Sequence, residues 1–264
     1  MVRPALANFT KIILFVVLAG CNAPAGKSHY ILAERLFSDH KYAAAVEEFK
    51  KLVDGDPKSS LAQKALFRIG TLQYLYLENY LDSIKSFRQF IALSPDTELV
   101  YQAEKSIGEI YFTKLEDYKQ AVEQYKRLLD KYPDSQEKDF FLLRMAKSYY
   151  GSLDFKHAIE VYRDIGKRFP KSTLAPEALY QVGNTYYTKG DVDAAIEVFQ
   201  DVVLYYPSSQ QAAFAQFGIG NCYEEKDKFD EALDIYQKIL DKHPVRAVVE
   251  AKIRRLKERK NRSH

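Results

Sequence analysis

Residues 191–209 read "DVDAAIEVFQDVVLYYPSS". The second half of this stretch, DVVLYYP, has the apolar density of a strand. Its apolar residues Ala195, Ile196, Phe199 and Val203, however, fall at the 3.6-residue spacing of an amphipathic helix. Pro207 then stops that helix, because it carries no N–H and crowds the preceding turn. The choice between strand and helix is made by position in a longer period. Prolines stand at 57, 95, 133, 170, 207 and 244, with gaps of 38, 38, 37, 37 and 37 residues. Thirteen residues after each of the first five comes a small residue: Gly70, Gly108, Ala146, Gly183 and Gly220, with Ala33 one period earlier. Twelve before each proline stand Ala45, Ser83, Ala121, Ala158, Ala195 and Ala232. Four after those come Phe49, Phe87, Tyr125, Tyr162, Phe199 and Tyr236. Columns in register over six periods are the signature of a repeat array.

Each unit predicts two helices, A and B. In the fifth, A spans 176–189, Gly190-Asp191 marks a turn, and B spans 194–204. Ser59, Thr97, Ser135, Ser172 and Ser209, each two residues past a proline, are expected to cap the next helix A, and Arg246 breaks that column at the end of the array. The small residues are expected to let A and B approach closely, with the aromatics filling the space towards the next pair. These columns resemble the tetratricopeptide repeat, whose period is about 34 residues. Here one residue is added at the A–B turn in repeats 2 and 3, and three more follow the proline. The longer linker resembles the repeats of two periplasmic groups, the BamD-type lipoproteins of β-barrel assembly and the CpoB-type envelope coordinators. The fold expected is an all-α, right-handed solenoid of six helix-turn-helix repeats over 29–246, with a cap helix and basic tail over 247–264.

The N-terminus predicts a location. Arg3 and Lys11, without an acid, precede a short apolar block, Ile12–Leu18, and then Ala19-Gly20-Cys21. A spanning helix needs about 20 apolar residues, so this run fits a signal segment instead. Leu18-Ala19-Gly20-Cys21 resembles the bacterial lipobox, which implies removal of 1–20, lipid attachment at Cys21 and a short tether over 21–28. Asn22, in place of Asp, implies the outer membrane, facing the periplasm. Gly26-Lys27-Ser28 is not a phosphate loop, since the required earlier glycine is displaced by one place to Gly20.

By resemblance to the family, the concave groove is lined by four columns: one and four residues after the small residue, and three and six before it. The aromatic-rich surface so defined includes Phe67, Tyr74, Phe112, Tyr150, Tyr180, Tyr187 and Phe217. In the plus-one column, Asn184 and Asn221 are placed to hydrogen-bond the backbone of an extended peptide. These residues predict a partner-binding groove centred on repeats 3–6, packing of repeat on repeat being the competing reading of each.

Nothing in the chain suggests an enzyme. Five histidines occur in unrelated contexts, without metal-ligand or nucleophile-elbow spacing. Cys222, on a helix A, reads as a buried thiol. No cofactor or metal is expected, and no small-molecule substrate. Net charge is +3, two of those charges lying in the signal, which argues against nucleic acid. Residues 251–264 carry seven Lys/Arg and one Glu and read as a solvated cap or as a contact for acidic groups. The function expected is an outer-membrane-anchored periplasmic scaffold for protein partners, first in β-barrel assembly; a CpoB-like coordinator or a pilus or secretin pilot lipoprotein is the alternative.

Overall fold

The computed structural model describes residues 25–95, 97–241 and 243–262. The signal segment and Cys21 lie outside these residues. The described chain folds into thirteen helices with no strand. They come in six A/B pairs: α1 (Ala25–Ser38) with α2 (Tyr42–Gly55), α3 (Ser60–Leu75) with α4 (Tyr80–Leu93), α5 (Thr97–Thr113) with α6 (Tyr118–Lys131), α7 (Lys138–Gly151) with α8 (Phe155–Arg168), α9 (Ala175–Thr188) with α10 (Val192–Tyr205), and α11 (Gln210–Glu225) with α12 (Phe229–Ile239). A final helix, α13 (Arg246–Arg262), closes the series. Each helix packs on its chain neighbours, and adjacent A helices also touch at α1–α3, α3–α5 and α9–α11. That nearest-neighbour stacking is a solenoid. None of the described helices is long and apolar enough to cross a membrane.

The boundaries follow local chemistry. Helices α2, α4, α6, α8 and α10 each end two residues before a proline, because the residue preceding proline is pushed out of the helical region. Two of the expected serine caps form: the hydroxyls of Ser59 and Ser209 accept from the Ala62 and Ala212 amides at 3.1 and 3.2 Å. Ser135 and Ser172 do something else. They accept from amides only two residues on, Glu137 and Leu174, so α7 and α9 start later, at Lys138 and Ala175. Their hydroxyls also reach back one repeat, to the Tyr101 hydroxyl at 2.9 Å and to the Asp139 carboxylate. The side chain of Thr97 lies outside the described set. At the other end, α1 begins at Ala25, so residues 25–28 are helical.

The small-residue column makes room for a ring inside the repeat. A Cβ built on Gly70, Gly183 or Gly220 would lie 2.8, 2.5 or 2.5 Å from the ring of Phe87, Phe199 or Tyr236. The helix B aromatic thus lies against the glycine of its own pair, and from there it also reaches the next repeat, as Tyr125 does to Phe141 at 6.3 Å. Phe49, Phe87, Tyr125, Phe199 and Tyr236 are all within 1 % of complete burial there. Phe199 is wedged further, since a Cβ on Gly218 of the next A helix would meet its other edge at 2.7 Å.

The A–B turns close by a left-handed residue followed by a bond back into helix A. In repeats 4 and 5 these are Leu153 (φ 63°) and Gly190 (φ 82°), with matching bonds from Asp154 to the Tyr149 carbonyl and from Asp191 to the Tyr186 carbonyl, both 2.9 Å. This is the Schellman ending. The extra residue in repeats 2 and 3 widens it: Asn79 and Asp117 bond six residues back, to Gln73 and Tyr111. Leu153 is exposed and bears the left-handed strain that Gly190 escapes. Leu153→Gly is expected to stabilise the protein by about 0.5–1 kcal/mol, the relieved strain outweighing glycine's entropy. A lowered midpoint in urea would contradict this.

Candidate functional site

The A helices bring the four expected columns together but sort them unequally. The residue three before the small residue shares a helix face with it, so it is drawn into the same contact with helix B. Phe67 lies edge-on to Phe87 and Phe90 at 5.7 and 5.4 Å. Tyr180 packs on Phe199 and Phe214 at 5.7 and 6.1 Å, and burial raises its phenol pKa. Phe217 meets Tyr236, His243 and the Lys252 ammonium. These three pack into the repeat stack, which is the competing reading of these positions, while each stays half-buried. Asn221 is likewise engaged, accepting from the Tyr236 hydroxyl at 2.8 Å.

The plus-four column stands further out. Tyr74 lies beside Tyr80 at 6.5 Å. Phe112 lies beside Tyr118, and Tyr150 beside Phe155, at 6.2 and 5.5 Å. The Tyr150 hydroxyl reaches Thr188 of the next repeat at 3.0 Å, and that of Tyr187 donates to Glu225 at 3.3 Å. Burial first, and then the Glu225 carboxylate, pushes the Tyr187 phenol up to about 12. All four are half-buried.

A feature not anticipated from the sequence closes part of this face. Arg68 forks onto Glu34 with bonds of 2.8 and 2.7 Å and covers the Phe37 ring at 4.6 Å. Two repeats on, Arg144 binds Glu109 at 2.8 Å and covers Phe112 at 4.7 Å. Each clasp joins the plus-one and plus-four residues of one repeat to an arginine of the next. Its signal was present as a Glu, a Phe three residues later, and an Arg 34 or 35 residues beyond the Glu. The equivalents of the arginine are Ser106, Gln181 and Gly218 at the other junctions. At the repeat 4–5 junction Lys147 pairs with Glu177 at 2.6 Å. Asn184 bonds within its own helix, to Gln181 at 3.2 Å and to the Tyr180 hydroxyl. Over repeats 4 and 5 the face therefore has no arginine lying over a plus-four ring, and Tyr150, Asn184 and Tyr187 stand along it, the two tyrosines tied to the next repeat by single hydroxyl bonds.

Sequence profiles described as tetratricopeptide repeats match residues 64–97, 106–135 and 141–172, and residues 174–242. The chain is a tetratricopeptide-repeat protein. Repeats of this family mediate contacts between proteins. Among solved structures, a tetratricopeptide repeat protein from Parabacteroides merdae superposes with a TM-score of 0.57 at 16% identity, over 90% of this chain and 89% of its own. The C-terminal part of such a protein from Cytophaga hutchinsonii gives 0.57 at 20%, over 80% and 78%. YrrB, described as having an unusual peptide-binding site, gives 0.50 at 17%, over 71% and 89%. At these identities the likeness is one of fold. No curated protein matches the sequence.

The chemistry of the remaining groups is consistent with an interaction module of this family. Burial, with Glu225 and Asp193 nearby, pushes the Cys222 thiol up to about 12, so it stays protonated and poorly nucleophilic. Among the described residues no cluster of His, Cys, Asp or Glu is arranged to hold a metal ion. A cleft of about 490 Å³ opens at the α6–α7 junction, beside Tyr101, Lys131, Tyr132 and Glu137. Two of its charges are already paired: Lys105 grips both oxygens of Glu137, and Lys131 binds Glu104 at 2.8 Å.

The C-terminal helix docks by burying Val249 and Leu256 and, at its polar edge, through one carboxylate. Glu224 holds Lys252 at 2.8 Å, Arg255, and the Tyr236 hydroxyl. Burial opposes its ionisation, but those hydrogen bonds prevail and hold its pKa below the ordinary 4.5. A carboxyl depressed on folding contributes stability that is complete above its unfolded pKa and is lost as pH falls through the folded one. The docking of α13 is therefore expected to be unchanged from pH 7 down to about 5 and to loosen progressively below the ordinary carboxylate range. Amide exchange across α13 as a function of pH measures this, and protection unchanged at pH 3 would contradict it.

Proposed function

We propose that this protein is an outer-membrane scaffold that is anchored by lipid on Cys21 and recruits an extended segment of a protein partner along the A helices of repeats 4–6. The process it serves in this reading is the assembly of β-barrel proteins into that membrane. The observation that carries the reading is the contrast along one face. Arginines cover the plus-four rings at the repeat 1–2 and 3–4 junctions, whereas no arginine covers Tyr150 or Tyr187 further on and Asn184 bonds only within its own helix. Half-buried tyrosines offer flat apolar area with a polar rim at small entropic cost, which suits partner hot spots. Asn184 supplies both a donor and an acceptor for a peptide group. The lipobox-like Leu18–Cys21 and the start of α1 at Ala25 support a repeat stack held close to the bilayer.

Affinity purification from detergent-solubilised envelopes tests this. The native chain is expected to co-recover a large β-barrel with periplasmic domains. Tyr150→Ala, Asn184→Ala and Tyr187→Ala together should lower that recovery by about tenfold or more, at about 2 kcal/mol per aromatic hot spot, with helicity retained. Unchanged recovery would refute the groove. Co-recovery of peptidoglycan synthases or pilus components instead would refute the barrel-assembly role while leaving the groove standing.

A further inference from the structure

The two ends of the stack are finished differently. In repeats 2, 3, 5 and 6 the residue just before the small one is turned inward: Ile69, Ile107, Val182 and Ile219 are 0–6 % exposed, and its counterpart in repeat 4, Met145, is half-buried. In α1 the same position is Leu32, 43 % exposed, and its neighbour Ile31 is 58 % exposed. Solenoid ends ordinarily carry polar outer faces, and the C-terminal one is mostly polar: α13 exposes Glu250, Arg254, Lys257 and Glu258, with Val248 44 % exposed among them. The N-terminal end instead keeps an apolar pair. Lys27 and Arg35, both exposed, stand four residues to either side of Ile31 and so share its stripe. Neither of them pairs with an acid among the described residues.

We propose that this stripe of α1 rests on an anionic lipid surface, Ile31 and Leu32 entering the headgroup layer while Lys27 and Arg35 reach the phosphates beside them. Two cations flanking a short apolar pair along one helix is the pattern of an interfacial helix whose basic stems snorkel. The charge pattern disfavours a second α1 as the occupant, since antiparallel pairing of α1 with itself sets Lys27 against Arg35. The inference rests on the anchored reading above, in which Cys21 lies only four residues before Ala25 and holds this end of the stack at the bilayer.

The test uses the full chain extracted from membranes and reconstituted into phosphatidylcholine vesicles containing a minority of phosphatidylglycerol. A fluorescent amino acid is placed at position 32, or as a control at the exposed Gln200 on α10, and brominated lipids serve as the quencher. Quenching at position 32 is expected to exceed that at 200 by about tenfold, and to fall to the level at 200 on pure phosphatidylcholine or with Lys27→Glu and Arg35→Glu, the two cations together accounting for a factor of about 25 in binding. Equal quenching at 32 and 200 overturns the proposal. So does shielding at 32 that is indifferent to brominated lipid and grows with protein density, which would mark a second copy, or shielding that appears only when an acidic protein is added. The intact mass of the same sample reads Cys21 separately. Acylated protein without quenching at 32 removes this proposal and leaves the anchor; quenching with an unmodified Cys21 removes the anchor and leaves this proposal.

Discussion

Phe199→Ala is expected to cost about 3–5 kcal/mol, the range for deleting a fully buried aromatic, and to release repeats 5 and 6 from each other. The ring is 1 % exposed and fills the gap between Gly183 on its own repeat and Gly218 on the next. Truncation opens a void where three helices, α9, α10 and α11, meet. The converse change should also fail. Gly183→Ala gains about 1 kcal/mol of helix propensity. It places a methyl 2.5 Å from a ring that cannot swing away, and overpacking of that kind costs about 1–3 kcal/mol. The net result is expected to be near neutral to about 2 kcal/mol destabilising, and to be relieved when Phe199→Leu is made in the same chain. Because stacked repeats unfold by segments, the effect is best read by amide exchange resolved along the chain. Protection should collapse over α9–α12 and persist in α1–α4. Uniform loss, or a loss below about 1 kcal/mol, would show that Phe199 is not the wedge described.

Glu109→Ala is expected to cost about 2–4 kcal/mol through a different mechanism. One Glu109 oxygen accepts from the Tyr125 hydroxyl at 2.6 Å and the other from Arg144 at 2.8 Å. Tyr125 is completely buried, and its phenol pKa is driven far up, by burial first and then by the Glu109 charge beside it. Removing the carboxylate strands a buried hydroxyl and a guanidinium at once. An unsatisfied buried donor costs about 1–3 kcal/mol and a broken, fully buried ion pair about 3–5. The pair here is about a quarter exposed, which places the sum below the upper figure. Glu109→Gln keeps an acceptor for Tyr125 and should lose about half as much. Arg144→Met keeps the apolar cover over Phe112 and Phe140 and should cost less than Arg144→Ala. Equal losses for Gln and Ala at position 109 would mean that the charge, and not the acceptor, carries the interaction.

The proline and small-residue columns are legible in the sequence because they answer to backbone chemistry. Pro133 and Pro207 end helices wherever they stand, and Gly183 is small for want of room. Legibility fails where a residue has a choice of neighbours. Phe67 and Tyr180 repeat at a spacing that places them on helix A, but helical spacing does not say whether a side turns to helix B or to solvent. The adjacent glycine, which admits the ring of Phe87 or Phe199, decides it. Ser135 and Ser172 sit in the same column as the capping Ser59 and Ser209, yet a further turn over 135–137 and 172–174 moves the helix start beyond their reach. The clasps of Arg68 and Arg144 depend on a pair of residues one repeat apart. A column read one residue at a time hides them, although Glu34 and Glu109 stand in the plus-one column in plain view.

The concave face itself is tested most directly by photo-crosslinking in intact cells, with a photoreactive amino acid placed in turn at Tyr74, Tyr150, Asn184, Tyr187 and Gln200. The account predicts that one partner is captured from positions 150, 184 and 187. Position 74, at the repeat 2–3 junction between the two clasps, should capture weakly, and position 200, on a B helix, not at all. Capture of the same partner from Gln200 with none from Asn184 or Tyr187 would place the working surface on the other side of the stack and contradict the account.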